Sequence, residues 1–183
     1  MWYDVIDHIQ EDVSLGYFPK AIEYVATQLN KMPPSPFHTV LQYDFQNDCV
    51  NLLRHFRSFK ESKSAIRIIY AEMNGFYINP DDWYFELFGY THSKLNTNYG
   101  WLADWDSKFS KQVSLIGMEK FMQVYKSHYI SDNVTYQKAK DLADLLIVLK
   151  FQQLLAGCLQ ASKLNCSVIV SAHEYDLFFK LTY

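Results

Sequence analysis

From Leu142 to Leu159 the chain reads LADLLIVLKFQQLLAGCL, its longest apolar stretch. Asp144, Lys150, Gln152 and Gln153 interrupt it, so it reads as a buried helix and not as a membrane span. Leu142, Leu145, Leu146, Leu149 and Leu155 cover so wide an arc of that helix that it belongs at the centre of a fold. Thr135 is expected to open it and Lys163 to close it, and the other elements have to be arranged around it. At 183 residues, one globular domain over 1–183 is expected, long enough to bury roughly 70% of its unfolded surface.

Other helices announce themselves by period and by caps. Val5, Ile6, Ile9 and Val13 define a first helix, which Gly16 breaks. Pro19 opens a second, where its missing N–H costs little, with Ile22, Val25, Ala26 and Leu29 on one side. It ends before MPPSP, since residues preceding proline leave the α region. Phe37 to Phe45 is expected to be loop with a short strand. Asn47 or Asp48 caps a third helix, whose stripe is Cys49, Leu52, Leu53, Phe56 and Phe59. Met118 to Tyr129 is a further helix.

Between these the pattern changes to strands. Ala65–Met73 is isoleucine-rich and Trp83–Tyr90 is aromatic. Turn signals at Asn74-Gly75 and Asn79-Pro80 lie between them. Cys166–Ala172 and Leu177–Thr182 form a second pair, joined at His173–Asp176, and Val113–Ile116 is a short strand. The expected class is α+β: antiparallel hairpins over about 65–90 and 166–182 form a sheet packed against several helices, including the long one near 135–163.

Several functions have no support in the residues. The chain carries a net charge of −3, which argues against a nucleic-acid binder. Arg54, Arg57, Lys60, Lys63 and Arg67 would be its phosphate contacts if it were one. Cys49, Cys158 and Cys166 have no metal-ligand spacing and are expected to be reduced thiols of a cytoplasmic protein. MWYDVIDHIQED has no apolar run, so no signal peptide is expected. There is no phosphate-binding loop, dinucleotide fingerprint, nucleophile elbow or zinc-protease motif. Asp104 and Asp106 alternate as calcium ligands do, but Phe109 and Leu115 stand where glycine and glutamate are required. No metal and no cofactor is expected.

The candidate binding surface is the stretch from Phe76 to Asp106, which holds ten of the 31 aromatic residues. Trp83, Trp101 and Trp105 lie there among Asp81, Asp82, Glu86, Asp104 and Asp106. Tryptophan anchors binding hot spots, and a ring of aspartates steers a basic partner. The bland counterpart is that Trp101 and Trp105 pin a loop to the core while the aspartates cap turns. The alternative site is a cleft built from Glu72, Glu86 and His173, with Asp104 nearby. Glu72 meets Glu86 across the hairpin if the turn is centred near Asn79. In general type the chain resembles bacterial immunity or inhibitor proteins: small, slightly acidic, aromatic-rich and without catalytic motifs. The expected function is therefore non-enzymatic binding of a basic-surfaced protein in the cytoplasm, with no membrane and no nucleic acid involved. The alternative is a small hydrolase or carbohydrate-binding protein with a carboxylate- and aromatic-lined cleft. Oligomeric state is not legible.

Overall fold

The computed structural model describes residues 2–74, 81–92, 99–128, 134–160 and 162–182. In chain order the elements are α1 (Trp2–Ser14), α2 (Phe18–Asn30), a 3₁₀ turn (Pro36–Gln42), α3 (Cys49–Ser62), β1 (Ile68–Met73) and β2 (Tyr84–Tyr90). A second 3₁₀ turn (Tyr99–Ala103), β3 (Ser107–Lys108), β4 (Val113–Ser114), α4 (Glu119–His128), α5 (Val134–Leu159), β5 (Ser167–Ala172) and β6 (Phe179–Leu181) follow. The fold is α+β. Residues Pro36–Gln42 wind into a 3₁₀ turn where a short strand was expected.

α5 is the hub. Most of its apolar residues are buried, and within Tyr136–Leu159 a stretch of 18 residues is apolar enough to cross a membrane by composition, yet 78% of that stretch is buried inside the fold. Two of the polar residues that interrupt it are cross-ties. Gln152 donates to the carbonyls of Val170 (3.1 Å) and Leu177 (2.7 Å). Lys150 donates to the Val40 carbonyl (3.0 Å) and the Tyr43 carbonyl and pairs with Asp44 at 2.8 Å. Lys140 pairs with Asp144 at 3.0 Å, with both side chains buried. A buried polar group is costly unless it is paired, so the Gln152 and Lys150 ties fix where the helix sits.

The strand order is β3-β2-β1-β5-β6, with β4 also paired to β2. The expected hairpins are present: β1 runs antiparallel to β2, and β5 to β6. The sheet is mixed, however, and not antiparallel throughout. β1 and β5 pair in parallel, Ile68 beside Ser167 through Met73 beside Ala172. Hairpins form between neighbours in sequence, whereas a parallel pair needs a crossover, which the helices between β2 and β5 supply.

Period-two alternation sorts the strands into two faces. Ile69, Ala71, Met73, Phe85, Leu87, Val168 and Val170 belong to the main core with the helices. Ile68, Tyr70, Phe88, Tyr90 and Ile169 point the other way into a smaller cluster with Trp101 and Leu102. Among the described residues, the turn at Tyr99–Ala103 and Phe178 cover part of that second face.

Cys49 and Cys158 are joined in a disulfide, and Cys166 is free and buried. The expectation of three reduced thiols is thus corrected for two of them. The pair is 109 residues apart, and only the packing of α3 on α5 brings the two together.

Candidate functional site

The uncovered part of the second sheet face is a cleft of about 470 Å³. Its floor is Tyr70 on β1 and Phe88 on β2, ring centroids 6.1 Å apart. Trp105 stands against Phe88 at 5.9 Å and is 48% exposed. On the other side Phe178 lies 6.4 Å from Tyr70 and stacks on Tyr99 at 4.1 Å. Aromatic residues of strand and turn so placed offer flat apolar faces to a ligand.

The polar rim comes from the end of β1 and the turn after β5. Glu72 continues the Tyr70 side of β1, and the Tyr70 hydroxyl donates to its carboxylate at 3.4 Å. Burial, then the charge of Glu72, raises the Tyr70 hydroxyl far above the usual phenol range, so it remains a donor. Tyr90 is raised for the same two reasons in the same order, and its hydroxyl donates to the Leu102 carbonyl at 2.6 Å. His173 places Nδ1 3.3 Å from Glu72 Oε1. Glu174 and Asp176 complete the rim. The turn is fastened from behind: the Ser171 hydroxyl meets the carbonyls of Tyr175 (2.7 Å) and Leu177 (2.9 Å), and the His173 amide donates to Met73. Glu174 takes a positive φ of 66°, a conformation uncommon for a residue with a Cβ.

The structure divides the residues singled out from sequence. Trp83 is fully buried on the helix side, edge-on to Phe121 and Tyr125. Trp101 is buried edge-on against Tyr90 at 4.9 Å. Only Trp105 reaches the cleft. Asp81 and Asp82 are exposed at the start of β2, with Asp81 held by Lys126. Asp106 lies near the other end of β2, where it accepts from the amide and hydroxyl of Thr91, and Asp104 is exposed beside it. The length of β2, roughly 20 Å, separates the two acidic groups, so they form no single face. The part of the window at 76–80 and 93–98, including the Asn74-Gly75 and Asn79-Pro80 turns beyond Asn74, lies outside the described residues.

Of the alternative cleft, Glu72 and His173 come together and line the cavity. Glu86 does face Glu72 in the β1–β2 register, but it is occupied by Lys108 at 2.8 Å and Gln112 at 3.4 Å. The described lining holds no Ser, Thr, Cys or Lys. A covalent route through one of those nucleophiles therefore has no residue to start from. Among the described residues no group of three His, Cys, Asp or Glu is placed to hold a metal. Arg57 and Lys60 line a separate groove with Lys163 near the start of β5, away from the cleft.

Tyr70, Phe88, Tyr99, Phe178 and Asp176 are not among the residues that the sequence marks as a site. The signal for the first two was in the strand alternation: Tyr70 shares the parity of Glu72, and Phe88 that of Glu86. The others come from turns, whose folding back over the sheet no local pattern reveals.

Comparison with family models, curated proteins and solved structures returned no match. The site's own geometry is what bears on function.

Proposed function

We propose that this chain is a non-enzymatic binding protein of the inhibitor or immunity type. Its cleft receives basic side chains of another protein. One observation carries the reading: half-exposed Trp105 stands over Phe88 in a cleft rimmed by Glu72, Glu174 and Asp176. Aromatic anchors beside a cluster of acids supply hot-spot contact and charge complementarity together. The face differs from the expected one, since it draws on the sheet and the turn after β5 more than on Asp81 and Asp82. With Cys49 joined to Cys158, a compartment that tolerates a lasting disulfide fits better than a reducing one.

The test uses Trp105→Ala and Glu72→Gln beside the wild type as bait for partners. Losing Trp105 should weaken partner binding by more than about 2 kcal/mol and lower fold stability by less than about 1 kcal/mol, as suits a half-exposed side chain. Equal losses in binding and stability would make Trp105 ordinary packing. A hydrolase or sugar-binding reading draws on the Glu72–His173 contact; it would gain if soluble oligosaccharides changed Trp105 fluorescence while basic proteins did not.

A further inference from the structure

We infer that the cleft is built for one cationic side chain, that of an arginine, held between aromatic faces and the Glu72 carboxylate. This rests on the proposed binding of a basic protein and names the group that enters.

The sheet face already shows the same arrangement filled from within. Lys108 places its ammonium 5.2 Å from the centre of the Phe88 ring and 2.8 Å from Glu86. Cation, ring and carboxylate make one unit there, as ring quadrupoles and ion pairs favour. Glu72 lies directly across the strand pair from Glu86 and has aromatic neighbours of its own, Tyr70 and, beyond it, Phe178. The basic group that the described residues bring within ion-pair distance of Glu72 is His173, which is charged only when protonated. Among the described residues this second unit holds ring and carboxylate with no lysine or arginine in the lining.

Arginine fits better than lysine on three counts. Its planar guanidinium stacks on rings such as Trp105 and Phe178, donates in parallel to a carboxylate, and gives up hydration more readily than an ammonium. The surrounding charge has the matching sign: Glu174 and Asp176 share the rim. The Tyr70 hydroxyl donates to Glu72 and leaves that carboxylate acceptor capacity for a second donor.

The probe is the peptide acetyl-Gly-Gly-Arg-Gly-Gly-amide, with versions carrying lysine, citrulline or glutamate at the centre. Binding is followed by Trp105 fluorescence and by amide shifts of the whole protein. The arginine peptide should shift resonances of Glu72, Trp105 and residues 172–178. Citrulline, which keeps the shape and removes the charge, should bind at least about tenfold more weakly. Glu72→Gln should lose a similar factor while its amide spectrum stays that of the native fold. Equal binding of citrulline and arginine, shifts confined to another surface, or no saturable shift with any peptide would overturn the inference. A partner that still depends on Trp105 in the bait experiment would then leave the wider reading standing, so the two can fail separately.

Discussion

Lys140→Met gives the most exacting test of the core. Lys140 and Asp144 are both buried in the N-terminal half of α5 and meet at 3.0 Å, and the Lys140 ammonium also lies 4.9 Å from the centre of the Tyr125 ring. Burial pushes the Asp144 carboxyl up to about 6, while Lys140 restrains the rise. The folded value stands above the unfolded one, so the proton-linked stability is present at low pH and is lost as pH rises through about 6. From 3.8 to about 6 this amounts to about 3 kcal/mol at roughly 1.4 kcal/mol per unit. Methionine keeps the apolar stem and removes the cation. Asp144 can then avoid an unpaired buried charge by binding a proton, which caps the added electrostatic cost. At about pH 7.5 the cap is about 2 kcal/mol, and at about pH 8.5 about 3.5 kcal/mol. Below about pH 5.5 it vanishes, because the carboxyl is already neutral there. Urea unfolding of both proteins across this range, with the disulfide intact, measures the difference. A stability loss that stays constant with pH would refute the reasoning, since the cost would then come from packing and not from a buried carboxylate.

The disulfide closes a loop with a sequence separation of 109 residues, so Cys49→Ser should cost about 4–5 kcal/mol on the chain-entropy estimate; equal denaturation midpoints with and without reductant would argue that the two thiols are not joined. Gly117 sits at φ +101° with the Asp44 carbonyl 2.4 Å from where a Cβ would stand, so Gly117→Ala should lower stability by more than about 1 kcal/mol in thermal unfolding. Gly157, exposed inside α5 with nothing within 4 Å of that position, should gain roughly 0.5–1 kcal/mol on the same change; matching effects at the two glycines would contradict the backbone described.

Local chemistry was legible and long-range chemistry was not. Asp48 accepts from the amides of Val50 and Asn51 as its place before an apolar stripe foretold, and the β1–β2 register is centred on position 79, as one of the two expected turns required. The parallel pairing of β1 with β5 left no trace, because each strand by itself reads like any buried strand. The same limit hid the cysteine pair. The tryptophans show a subtler gap. Trp83 shares strand parity with Phe85 and Leu87, yet Tyr84, Phe88 and Tyr90 make the opposite face equally aromatic. Alternation separated the two sets without saying which would meet the helices. Trp105 and the acids of 172–178 became neighbours only through how two turns fold over one sheet.

The parallel pairing also has a consequence for how the molecule is made. Glu72 and His173 are 101 residues apart, and their contact depends on β5 seating beside β1. Contacts of that separation must meet the loop-closure cost before they return any stability, which slows folding. During synthesis β1 and β2 leave the ribosome well before β5. Until β5 docks, β1 carries an open edge of unpaired amides and carbonyls in an apolar sequence, a template for wrong partners. The strand that completes the cleft is thus also the one that ends the chain's most aggregation-prone stage.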